Sequence, residues 1–103
     1  MKNIYFDKNA DKEFENFSIV VKKEFQSLIQ ILIEKGKLDF PNSKKLDKNL
    51  YEIRVKLQGE FRGFYAYVGK NFIAILHFFH KKTQKTPLKN LKIVKRRLRQ
   101  YER

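Results

Sequence analysis

The sequence predicts an α+β fold in which a helical region, a small antiparallel sheet and a basic C-terminal helix follow one another along the chain. Three observations carry this. Apolar residues recur every three or four positions through the first third, three β-type runs separated by glycine-containing turns follow, and a cation-rich amphipathic segment comes last.

Residues 3–6 read as a short opening strand, after which Asp7 or Asn9 can cap a helix. Phe14, Phe17, Val21, Phe25, Leu28 and Leu32 then form a helical stripe with Lys22, Lys23, Glu24 and Gln26 between them. The β-branched run Ile19, Val20, Val21 suggests a break into two helices, without fixing its position, and Gly36 ends the region. The polar segment KLDFPNSKKLDKN at 37–49 is expected to be a loop. Runs 50–57, 60–68 and 71–79 make a three-stranded meander, and Pro87 starts a helix to about Tyr101 with Leu88, Leu91, Val94 and Leu98 on one face.

Turn lengths set the register of this meander. A two-residue Gly69-Lys70 loop pairs Val68 with Asn71, Ala66 with Ile73, Phe64 with Ile75 and Arg62 with His77. At the first turn, a two-residue loop would pair Arg54 with Gly63; a three-residue loop with Gly59 left-handed pairs Arg54 with Arg62 and is preferred. It puts Tyr51, Ile53, Val55, Phe61, Tyr65 and Tyr67 against the helices and groups Arg54, Arg62, His77, Phe79 and Lys81 on the opposite face. Two facing arginines repel, so an anion belongs beside them; an internal one would be Glu52 or Glu60. His77, set among Leu76, Phe78 and Phe79, also fits a hydrogen-bonded core residue.

The chain has 103 residues and a formal net charge of +13, and residues 80–103 hold ten of the 24 Lys/Arg but one of the 11 Asp/Glu. Such a local excess attracts polyanions, nucleic acid first. One domain over residues 1–103 is expected. The absence of cysteine excludes disulfides and thiolate metal sites, no His/Asp/Glu spacing suits a metal, and no cofactor motif is present. With neither a signal-peptide pattern nor an apolar run of roughly 18 residues, a cytoplasmic protein without membrane contact is expected.

The stretch LYEIRVKLQGEFRGFYAYVGKNFIAILHFFHKKTQKTP, followed by a basic helix ending in RRLRQYER, resembles the HigB-like, phage-associated subgroup of RelE/HigB-type toxins. The resemblance implies a RelE-like fold: a small twisted antiparallel sheet with N-terminal helices packed on one face, a basic groove on the other and a C-terminal basic helix. It further implies cleavage of mRNA in the ribosomal (30S) A site and a cognate antitoxin, the toxin being a monomer alone or part of a toxin–antitoxin hetero-oligomer. The family's basic residues are matched by Arg54 in LYEIR, Arg62 in the FR, and Lys81, Lys82 and Lys85 in HKKTQKT.

Metal-independent RNA cleavage needs a base for the 2′-hydroxyl proton, cations for the phosphorane and an acid for the leaving oxygen. Arg54 and Arg62 suit the second task, because a guanidinium fork meets two phosphate oxygens and stays charged. Lys81 or Lys82, set among other cations that disfavour a further proton, is the candidate base. His77, His80 and Tyr101 all fit the acid, and the sequence does not choose among them. RNA contacts are expected from Phe79, His80 and Lys85 and from Lys89, Lys92, Arg96 and Arg99 of the last helix. Arg62→Ala is expected to abolish growth inhibition with the fold intact. The rival readings are a non-catalytic RNA- or DNA-binding module and a regulatory component whose basic surface serves protein contacts.

Overall fold

The structure, a computed structural model, describes residues 2–85 and 87–102. Thr86 and Arg103, within the stretches that carry the resemblance, lie outside the described residues. The order is β1 (Asn3–Phe6), α1 (Lys8–Glu15), α2 (Ile19–Lys35), β2 (Ser43–Asp47), β3 (Leu50–Lys56), β4 (Glu60–Val68), β5 (Phe72–Lys81) and α3 (Leu88–Arg99). The strands form one sheet in the order β1-β5-β4-β3-β2, antiparallel except that β1 runs parallel to β5.

Local chemistry sets the helix ends. The Asp7 carboxylate accepts from Asn9 N at 2.9 Å and Ala10 N at 3.2 Å, starting α1. Ser18 caps α2 by accepting from Val21 N at 3.3 Å, so the break falls just before the β-branched run. Gly36, at φ 77°, ends α2 in the left-handed conformation that glycine adopts without strain.

Ser43–Asp47, expected to be loop, is an edge strand. Its sequence SKKLD has no apolar alternation and its pairing is broken by an irregularity between Lys45 and Asp47; β3, rather than its own residues, makes it a strand.

α1 and α2 cover one face of the sheet. Ala10, Phe14, Val21, Phe25, Leu28, Ile29 and Leu32 pack there against Ile53, Val55, Tyr65, Ile73, Ile75 and Phe78. Gly63 faces this layer, and a Cβ on it would come within 2.9 Å of the Phe78 ring. The opposite face is divided. Leu50, Phe64, Ala66, Ala74 and Leu76 are covered by Val94 and Leu98 of α3, with Leu91 half-buried beside them. Leu88, expected on that stripe, is 66% exposed, and Arg97 takes a buried place next to Leu98. The far end of this face, around Arg54 and Arg62, is an open groove.

The β4–β5 register differs from the expected one in two steps. The turn is one residue longer, so Val68 pairs with Phe72 and Ala66 with Ala74; an irregularity between Phe64 and Tyr65 then sets Phe64 opposite His77 and Arg62 opposite Phe79. Each step exchanges the two faces, so the second undoes the first. Arg62, His77, Phe79 and Lys81 therefore share a face as expected, although Arg62 does not face His77.

Candidate active site

β3 and β4 bring the arginines together. The three-residue turn Leu57-Gln58-Gly59 pairs Lys56 with Glu60 and therefore Arg54 with Arg62; both Gln58 (φ 54°) and Gly59 (φ 151°) have positive φ. Because Ile53 and Val55 lie in the helix-side core, Arg54 projects to the other face. The repulsion between the two guanidinium groups is offset from within the protein. Buried Glu52 lies 3.4 Å from Arg54 Nε and 3.5 Å from Arg62 Nε. Arg62 Nη2 donates to Glu60 Oε1 at 2.8 Å, and Nη1 donates to the Phe61 carbonyl at 3.1 Å. The hydrogen bond from Arg62 keeps the Glu60 carboxyl below its usual range despite the desolvation that opposes it, and Lys56 and Lys81 act in the same sense as Arg62.

The two arginines differ in access. Arg62 is only 2% exposed, whereas the Arg54 side chain is 29% exposed. Arg54, Glu60 and Arg62, with Lys81, Lys82, Thr83 and Gln84, wall a groove of about 440 Å³. A second depression of about 450 Å³ shares the first three residues and continues toward Asn42, Lys56 and Glu24. Arginine and lysine side chains outnumber carboxylates around the joint groove, and such a surface suits a phosphodiester backbone.

The expected site residues fall into three groups. Arg54, Arg62, Lys81 and Lys82 line one groove. Lys89, Lys92, Arg96 and Arg99 are exposed along α3, and Lys85 is exposed just beyond the groove-lining run. The remaining residues are elsewhere. His77 is 4% exposed, with Nδ1 donating to Glu13 Oε1 at 2.8 Å and Nε2 at 2.6 Å from Asn90 Oδ1, so neither ring nitrogen is available to substrate. His80 projects to the helix side of the sheet, stacked on Phe61 at 4.4 Å, away from Arg62. Phe79 is half-buried and stacked on Phe64 and on His77, both at 5.6 Å, so it belongs mainly to the core. Tyr101 places its hydroxyl 3.4 Å from Asp7 Oδ2, near Ile75, six residues along β5 from Lys81 or roughly 20 Å. The three expected acid candidates, His77, His80 and Tyr101, are thus not among the residues that line the groove, whereas Lys81 and Lys82 are.

Arg97 organises a polar network between α1, β5 and α3. Its Nη1 donates to the Leu76 carbonyl at 2.8 Å and to Glu13 Oε1 at 3.0 Å, Nη2 donates to Glu13 Oε2 at 3.0 Å, and Nε lies 3.7 Å from Asp7 Oδ1. Burial pushes the Glu13 carboxyl up, but hydrogen bonds from His77 and Arg97 outweigh it and hold the pKa at about 2, against an ordinary 4.5. A carboxyl depressed in the folded state adds stability above its unfolded pKa and loses it as pH falls through the folded value. Denaturation midpoints should accordingly fall from pH 5 toward pH 2, more steeply in the parent protein than in Glu13→Gln. Equal slopes would remove Glu13 from the acid response.

The fold is that of RelE toxins. The structure superposes on the isolated E. coli RelE toxin with a TM-score of 0.66 at 16% identity, covering 93% of this chain and 98% of that one. For the intact E. coli RelBE toxin-antitoxin complex the TM-score is 0.67 at 15% identity, covering 81% of this chain and all of the matched chain. For the RelB-RelE antitoxin-toxin complex from Methanococcus jannaschii it is 0.62 at 22% identity, over 75% and 89%. The resemblance to RelE-type toxins read from the sequence is borne out at the level of fold. The family model described as "Phage derived protein Gp49-like (DUF891)" matches residues 12–99, and the chain belongs to that family. No curated protein matches it.

Among the described residues no helix is long and apolar enough to cross a membrane, and no group of three or more His, Cys, Asp or Glu is placed to hold a metal ion.

Proposed function

We propose that this chain is the toxin of a toxin–antitoxin pair, of the HigB-like, phage-associated subgroup. It acts as one cytoplasmic domain, a metal-independent endoribonuclease that cuts mRNA in the ribosomal A site and is neutralised by a cognate antitoxin. The observation that carries this reading is the convergence of Arg54, Arg62, Lys81 and Lys82 on one groove of a RelE-type fold. Solved RelE chains bound to RelB antitoxins support the partner.

In the reaction the 2′-oxygen attacks phosphorus, the P–O5′ bond breaks, and a cyclic phosphate and a free 5′-hydroxyl result. Arg54, the more accessible guanidinium, holds the phosphorane oxygens. Lys81 and Lys82 share the proton transfers, one accepting from the 2′-hydroxyl and the other donating to the leaving oxygen. Inducible expression with mapping of mRNA ends tests the proposal. Growth should stop and new 5′ ends should accumulate within coding regions, and co-expression of the adjacent reading frame should reverse both effects. Intact transcripts under full expression would contradict it.

A second reading, a non-catalytic RNA- or DNA-binding module, is favoured by one observation: Arg62 is already engaged by Glu60 and Glu52. It predicts salt-dependent binding through Lys89, Lys92, Arg96 and Arg99 without cleavage.

A further inference from the structure

Arg62 is a buried guanidinium in an RNA-sized groove whose accessible anion partner belongs to the protein itself. A guanidinium makes the same short, charge-assisted bond to a carboxylate oxygen as to a phosphate oxygen, and the 2.8 Å contact between Arg62 Nη2 and Glu60 Oε1 is of that kind. We infer that in the free protein the Glu60 carboxylate occupies the place of an RNA phosphodiester on Arg62, and that RNA enters the groove by exchanging with it. The inference rests on the reading of the groove as an RNA site.

The two carboxylates beside Arg62 are unequal. Glu52 is buried beneath the arginines, whereas the Glu60 side chain is 38% exposed and is the first residue after the positive-φ turn at Gln58 and Gly59. Its second oxygen lies 4.0 Å from Lys56 Nζ, beyond hydrogen-bond reach. Of the two carboxylates, the part-exposed Glu60 beside Lys56 is therefore the one placed to exchange.

Departure alone is unfavourable, because it strips a buried charge of its best hydrogen-bonded partner. Departure coupled to the arrival of another anion is not. The arriving group must displace a carboxylate that is tethered to the same chain, and an isolated anion gains little beyond the bond that Glu60 gives up. A polynucleotide gains more, since its neighbouring phosphates reach Arg54, Lys81 and Lys82 along the same groove. Glu60 is thus a positioning residue: it keeps the buried guanidinium paired in the free protein and makes the groove selective for polymeric phosphate.

Binding of a 2′-O-methylated RNA hexamer, whose capped 2′-oxygen prevents cleavage, tests this on the full chain by fluorescence anisotropy. Glu60→Gln should bind about tenfold more tightly than the parent, since it removes a competing anion from the site. Glu60→Asp, which keeps the charge but is one methylene short of Nη2, should fall between the two. Arg54→Ala should bind more weakly. If Glu60→Gln proves misfolded by thermal melting, Glu60→Asp decides alone. Binding that is lost in Arg54→Ala yet equal or weaker in the Glu60 variants overturns the exchange while leaving the groove as an RNA site. Binding indifferent to Arg54 overturns the groove reading, and the exchange with it.

Discussion

Arg97→Met should destabilise the protein by about 3–5 kcal/mol, a large fraction of what a small domain possesses. The arginine is the shared partner of Asp7, Glu13 and the Leu76 carbonyl, which belong to the cap of α1, α1 itself and β5. Its removal takes from Asp7 and Glu13 their shared cation and from the Leu76 carbonyl this donor, and it releases the tie between α3 and the sheet. Urea denaturation measures the effect. The double variant Glu13→Gln/Arg97→Met should lose less than the sum of the single losses, because removing both charges relieves the unpaired one. A loss below about 1 kcal/mol for Arg97→Met would show that the network contributes little to stability.

The second large effect concerns the groove. Arg54→Ala should lower mRNA cleavage by at least about 100-fold, the scale of losing one preorganised donor to a charged transition state. The fold should be retained, because the Arg54 side chain is part-exposed and Glu52 keeps Arg62 as a partner. Arg62→Ala should lose activity and stability together. The sequence had suggested that this substitution would spare the fold, but at 2% exposure, with Glu52 and Glu60 arranged around it, Arg62 is also an internal counter-ion. Melting curves beside cleavage assays separate the two variants. Equal thermal stability in both would contradict this division of roles.

What the sequence could and could not reveal follows from the range of the interactions. The pairing of Arg54 with Arg62 was legible, because a three-residue turn and strict alternation in β3 and β4 fix it locally. Gly36 was legible as a helix end for the same reason, and Asp7 as one of two candidate caps, the other being Asn9. The β4–β5 register was not, since neither the extra turn residue nor the irregularity beside Tyr65 has a local signature; the shared face emerged because the two shifts cancel. β2 was hidden by its polarity.

The network around His77 was hidden by distance, Glu13 and Arg97 being 84 residues apart. One clue was present: Arg97 stands three residues after Val94 and one before Leu98, on the apolar stripe of α3, where a charge requires a buried partner. Glu52 and Glu60 were visible as neighbours of the arginines. Which arginine each would take depended on side-chain burial, which only the packed sheet decides.

The most direct measurement is cleavage by the purified protein of a defined mRNA, alone and on ribosomes with an empty A site. The account predicts cuts at the A-site codon, leaving a free 5′-hydroxyl, on the ribosome only, and slower by at least about 100-fold with Arg54→Ala. Ribosome binding without any cut, or cutting that persists unchanged in Arg54→Ala, would contradict it.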